Sequence, residues 1–203
     1  MKTYQDLLDV GADESARMSF VLAAIDEHKR SPVFFVARDA EMYDKRQNVT
    51  IRSYQRILYT MSGQAVADPF RANHKIASGF FPRFVNQQNQ FLLGNGVTLT
   101  NASNKEKLGA GFDRRLQKLG HAAIVGGVAF GFWNLDHLDV FRVTEFVPLY
   151  DENNGALMAG IRFWQVAKDK PLRATLYELD GYTDYIQTDD EPIHVLKEKR
   201  NYI

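Results

Sequence analysis

The sequence predicts an α+β fold, helices in the N-terminal half packed on a mainly antiparallel sheet in the C-terminal half, as a single domain over 1–203. Three observations carry this. Apolar residues recur at three- and four-residue spacing through the first half, whereas aromatic and β-branched runs dominate from Val128 onward. Turn signals, Asn153-Asn154-Gly155 and Asp180-Gly181, separate those later runs as hairpin loops do. Helices first and strands later also argue against the alternating βαβ units of a nucleotide fold.

In order along the chain, Asp13 and Glu14 open a helix with Met18, Leu22 and Ile25 on one face. His28, Lys29 and Arg30 suit its negative C-terminal end. Ser31-Pro32 supplies an N-cap and a first-turn proline for a second helix striped by Val33, Val36, Ala37, Ala40 and Tyr43. Periodicity weakens from Asp44 to Arg71, which reads as a long loop with one short helix near Tyr54 to Met61. The run from Ala72 to Gly96 then reads as a docking helix: Ile76, Phe80, Phe84, Gln88, Phe91 and Leu92 recur at helical spacing, and Gly94 is placed to end it in the left-handed region. Pro82 lies inside that stripe, so a kink is expected there. Val97 to Thr100 reads as a short strand. Leu108, Phe112, Leu116 and Leu119 stripe a helix closing at Gly120, and Gly126-Gly127 turns into strands built from Val128 to Trp133 and from Phe141, Val143, Phe146 and Val147.

Composition narrows the function classes. With 203 residues, 45% of them hydrophobic, the chain can bury a core. The lack of cysteine removes disulfides, thiolate chemistry and cysteine-ligated zinc. The polar, acidic start is unlike a signal peptide and no apolar run reaches the roughly 20 residues of a membrane span, so a soluble, unexported protein is expected. Lys plus Arg and Asp plus Glu number 25 each. That balance lacks the basic excess of a dedicated nucleic-acid binder and suits a surface facing other subunits, or one past which DNA slides.

No catalytic, cofactor or metal residues emerge. Histidines 28, 74, 121, 137 and 194 are dispersed, without a metal-binding pair. His137 between Asp136 and Asp139 reads as a solvated turn. KLGAG, VGGVAFG and LGNG lack the Lys-Ser/Thr ending and the strand–helix context of phosphate loops, and no Gly-x-Ser-x-Gly elbow exists. Asp189, Asp190 and Glu191 read as solvated carboxylates, with Lys197, Lys199 and Arg200 equally ordinary. The basic face of Lys105, Lys107, Arg114, Arg115 and Lys118 is the one place for DNA-backbone contact, although a solvated helix face explains it as simply.

Taken together, these segments resemble the N-terminal wing region of the portal proteins of tailed phages, siphophage type. The resemblance rests on Ala40, Tyr43 and Asn48 as a helix, loop and Asn; on Asn73 to Gly94 as an Asn-x-x-Ile helix ending in Leu-Gly; and on GHAAIVGGVAFGFW from Gly120 to Trp133. It continues through Val147 to Asp151, Ala159 to Trp164, and the Leu-Tyr, Asp-Gly, Tyr hairpin of Leu176 to Tyr185. The order and spacing of all of them carry it. Pro82, and Gly127-Val128-Ala129-Phe130 where the family often has Gly-Lys-Ala-Tyr, depart from the pattern. The resemblance implies a non-enzymatic subunit of a homo-oligomeric ring, commonly a dodecamer, at the capsid vertex, through which double-stranded DNA is packaged and ejected. It implies assembly in the host cytoplasm, a place in the virion and no membrane. Its implied partners are the terminase large subunit, which holds the ATPase, the major capsid and scaffolding proteins, the head-tail adaptor and, non-specifically, double-stranded DNA. The family's stem, clip and crown have no counterpart here. The alternatives are a small non-enzymatic α+β protein-binding domain and an enzyme with a site assembled from scattered polar residues.

Overall fold

The computed structural model describes residues 2–109, 111–187 and 193–202; Asp189, Asp190 and Glu191 lie outside them. The chain begins with a helix the periodicity does not announce, α1 (Tyr4–Val10), started by a capping box in which Thr3 and Asp6 satisfy each other's backbone N–H groups. Helix α2 (Glu14–Lys29) follows with Asp13 as N-cap, and α3 (Pro32–Asp44) with Ser31 as N-cap and Pro32 in the first turn, as the sequence predicts.

One side chain of α2 departs from expectation. His28 does not face the helix end but turns inward, 5% exposed, where its Nε2–H donates to the Val143 carbonyl at 2.7 Å and its ring meets Phe34 and Phe163 edge-on. Burial lowers its pKa, against the smaller opposing effect of that hydrogen bond. Because the folded pKa lies below the unfolded value of about 6.5, the unfolded chain takes up the proton first as pH falls, and stability held above that pH is lost below it. The urea midpoint is expected to drop between pH 7.5 and 5.5, and to drop less in His28→Gln. Asp113 and Asp180, held below the usual carboxylate value by Lys105 and Lys199, lose their contribution only at lower pH.

The stretch after α3 corrects the sequence reading. A short helix, α4 (Val49–Ser53), precedes rather than coincides with Tyr54 to Met61. The next residues form a two-stranded antiparallel hairpin, β1 (Ile57–Tyr59) and β2 (Ala65–Ala67), turning at Gly63 with φ +79°. Helix α5 (Phe80–Leu93) begins at Phe80, so Pro82 falls in the first turn, where a missing N–H leaves no helix bond unmade, and no kink is needed. Gly94 stays right-handed (φ −61°), and Gly96 takes the positive φ of +69° instead.

No strand forms at Val97 to Thr100. Side chains take the Val97 backbone groups: its N–H donates to the Asp113 carboxylate at 3.1 Å and its carbonyl accepts from Lys105 Nζ at 2.6 Å. Helix α6 (Ala102–Lys107) is followed by α7 (Phe112–Gly126), which runs through Gly120 and stops at Gly127, φ +80°. Gly120 marks a close approach and not an end, because a Cβ there would lie 2.6 Å from both Asn89 Oδ1 and Leu93 Cδ1 of α5.

Strands β3 (Ala129–Asn134) and β4 (His137–Arg142) form a hairpin, and a 3-10 turn at Val143–Glu145 leads into a five-stranded antiparallel meander. Its strands are β5 (Phe146–Tyr150), β6 (Leu157–Trp164), β7 (Leu172–Tyr177), β8 (Gly181–Gln187) and β9 (His194–Asn201). Both hairpin turns read from sequence stand, at Asn153-Asn154-Gly155 and Asp180-Gly181. On one face of the meander, Val147, Leu149, Ile161, Phe163, Leu176 and Tyr185 pack with Leu7, Phe20, Val21 and Ile25 of α1 and α2. A second cluster joins Ala37 of α3 to Phe130, Phe141, Val143 and Phe146. The fold is thus α+β, with helices mostly in the first half and antiparallel sheets mainly in the second.

Gly160 is what allows the second cluster to close on the sheet. A Cβ there would lie 2.1 Å from Cζ of Phe146. Gly160→Ala is therefore expected to destabilise by about 1–3 kcal/mol through overpacking, measured as a lower urea midpoint at unchanged slope.

Candidate interaction surface

The aromatic stripe of α5, read from sequence as packing within the domain or against a neighbouring subunit, lies mostly outside the domain's core. Pro82 and Val85 are the buried residues of the helix, with Phe81, Asn89 and Leu93 partly covered. Asn89 Nδ2 donates to the Gln117 carbonyl of α7 at 3.0 Å, and Gln117 Nε2 donates back to the Leu93 carbonyl at 2.9 Å, locking the two helices together. The aromatic residues of the stripe lie away from that packed face. Phe80, Phe84, Phe91 and Leu92 are 63%, 62%, 89% and 66% exposed.

The arm that precedes α5 carries further exposed apolar residues. Ile57, Tyr59 and Met61 of the β1–β2 hairpin, then Phe70 and Ile76 in the irregular chain returning from it, are all exposed, Phe70 at 89%. A buried aromatic ring removes roughly 150–250 Å² from water, so Phe70, Phe80, Phe84 and Phe91 at these exposures leave about 500 Å² of apolar area open, summed over the four side chains.

The same stretch of chain is basic. Seven Lys and Arg residues stand between 45 and 83, namely Lys45, Arg46, Arg52, Arg56, Arg71, Lys75 and Arg83, against one carboxylate, Asp68. Of these, Arg71 approaches Asp68 at 3.8 Å. A separate surface has the opposite sign. Along α1 and the start of α2, residues 4–17, four carboxylates, Asp6, Asp9, Asp13 and Glu14, accompany one Arg, Arg17, which is itself paired with Glu178. Asp9, Asp13 and Glu14 are exposed, and Glu152 joins them by accepting a 2.7 Å hydrogen bond from the Thr3 hydroxyl, which ties α1 to the β5–β6 turn. Leu8 and Leu157, about half exposed, lie on these same two segments.

Titratable groups elsewhere among the described residues gather at the β3–β4 turn and in one cleft. His137 donates to Asp136 and lies 3.3 Å from Asp139. The turn read from sequence is confined to Leu135 and Asp136, and His137 and Asp139 stand partly buried in β4. The hydrogen bond from His137 is the main cause of the lowered Asp136 pKa. His121 donates to Asp44 at 3.0 Å at the edge of a cleft of about 300 Å³ that Glu41, Arg142 and Glu145 also line. Sequence spacing gave no signal for this pair, since 77 residues separate its members. Arg142 bridges Glu41 at 3.3 Å and Glu145 at 2.8 Å, so these three charges pair with one another, while Lys45 and Lys118 also line the cleft. The Lys105–Lys118 face is divided: Lys105 pairs with Asp113 at 2.9 Å and Arg115 with Asp139 at 3.7 Å, leaving Lys107, Arg114 and Lys118 exposed. Among the described residues no group of three His, Asp or Glu side chains is placed to hold a metal ion, and no helix is long and apolar enough to cross a membrane.

Comparison of the chain with protein families and with curated proteins returns no match.

Proposed function

We propose that this protein is a structural, non-enzymatic subunit of a ring at a phage capsid vertex, the portal through which double-stranded DNA is packaged and ejected. The observation that carries this reading is the apolar surface of the arm and α5. Its open area suits a subunit that completes its packing only in an assembly. The order of segments that resembles the portal wing supplies the kind of assembly. The fold's α+β organisation agrees with that resemblance without being specific to it. In this reading the terminase, capsid, scaffolding and head-tail adaptor proteins meet the ring, and DNA passes through it without base-specific contacts.

Electron microscopy of the purified protein tests the reading. Closed rings of cyclic symmetry with a central channel wide enough for duplex DNA, about 20 Å and commonly twelve subunits in the family, are expected; particles of monomer size at tens of micromolar would overturn it. The second reading, a small protein-binding domain, draws on the same exposed surface and differs in expecting a monomer that captures a different chain.

A further inference from the structure

We propose that the basic, aromatic arm and α5 stripe of one copy dock head to tail on the acidic surface formed by α1, the start of α2 and the β5–β6 turn of the next copy. The inference rests on the reading of the protein as a self-assembling subunit and assigns the two surfaces that meet.

Two observations choose a second copy as the occupant. The first is charge complementarity within one chain of zero net charge: seven Lys and Arg against one Asp over 45–83, and four carboxylates against one Arg over 4–17, with Glu152 beside them. Opposed potentials of this kind steer association and fix register. A basic arm meeting another basic arm would instead place like charges together, which disfavours a symmetric arm-to-arm dimer. The second is area. The about 500 Å² of open aromatic surface, with Ile57, Tyr59, Met61, Ile76 and Leu92 added, approaches the roughly 800 Å² per partner of a stable interface. On the acidic side Leu8 and Leu157 supply apolar contacts within the charged rim, at 52% and 46% exposure.

The geometry has a consequence for assembly. Two different surfaces in contact make a heterologous interface, which propagates until the rotation closes a ring or fails to close and gives a filament. An apolar arm buried in this way also explains why so many large side chains of one chain stand free of its own core.

Charge exchange tests the pairing, using exposed side chains that no ion pair holds among the described residues. Arg52→Glu, Arg56→Glu and Arg83→Glu together give an arm variant; Asp9→Lys, Glu14→Lys and Glu152→Lys give an end variant. Far-UV circular dichroism and melting establish that each is folded. In sedimentation velocity each variant alone is expected to assemble at least tenfold more weakly than the unmodified protein. An equimolar mixture of the two restores assembly, with an even number of copies, and the chain carrying all six changes assembles by itself. Unchanged assembly of either single variant overturns the pairing while leaving a ring intact as a portal reading. Rescue that yields open filaments upholds the pairing and counts against the portal. A mixture that stops at dimers, with a six-fold variant that stays monomeric, overturns it in favour of arm-to-arm contact. An arm that binds duplex DNA or anionic phosphatidylserine vesicles, in a protein that remains monomeric, overturns it as well.

Discussion

A chain carrying Phe80→Ser, Phe84→Ser and Phe91→Ser is expected to fold as before and to lose its capacity to assemble. The three rings project away from the face of α5 that packs on α7, at 63%, 62% and 89% exposure. Substitutions at exposed positions outside special backbone sites usually stay within about 0.5 kcal/mol each, so the melting temperature should move by no more than a few degrees. Association is another matter. Interface energy concentrates in aromatic anchors worth about 2 kcal/mol or more each, so losing three should weaken self-association by three orders of magnitude or more. Light scattering across a concentration series measures the effect. Unchanged assembly would remove the aromatic stripe from the interface.

Truncating the core should do the opposite, and Leu176→Ala is the sharpest case. Leu176 of β7 is fully buried and pairs directly across the sheet with Ile161 of β6, also fully buried. Neither neighbouring strand can shift without breaking the register of the meander, so a cavity is left rather than closed. The expected loss is about 2–5 kcal/mol, or roughly 10 °C in melting temperature for a chain of this size. Chemical denaturation with fluorescence detection reads it directly. Self-association of the remaining folded fraction should be unaffected, since Leu176 lies under α2 and not on the arm.

These two variants also mark how far the sequence was legible. The hairpin turns and the start of α3 were read correctly because their chemistry is local: Ser31 and Pro32 start α3, and Asn153-Asn154-Gly155 and Asp180-Gly181 close the hairpins. Both glycine helix ends were misplaced: Gly96, not Gly94, takes the positive φ, and Gly127, not Gly120, ends α7. What failed depended on partners distant in the chain. Two apolar lines run along α5, one through Phe80, Phe84 and Phe91, the other through Phe81, Val85 and Leu93. Periodicity alone cannot tell which of them faces inward. Gly120 decided it, because its missing side chain admits Asn89 and Leu93 of α5 at the crossing with α7. Pro82 was taken for a kink because the stripe was extended back to Ile76, which lies outside the helix and is exposed. Val97 looked like a strand, yet Asp113 and Lys105 take its backbone groups. His28 looked like a helix-end cation and is instead a buried donor to Val143, 115 residues away. The candidate surface was legible only in part: the aromatic residues of α5 were plain, the basic run over 45–83 was passed over as a polar loop, and the position of both outside the core was visible only in the fold.

Hydrogen exchange followed by mass spectrometry, on the unmodified protein diluted across its assembly range, reports most directly on whether the apolar arm is an interface between copies. Protection over residues 54–93 and over 4–14 is predicted to rise together with concentration, while the β6–β7 core stays equally protected throughout. Exchange in both segments that is independent of concentration, in a protein that assembles or in one that does not, would contradict the account.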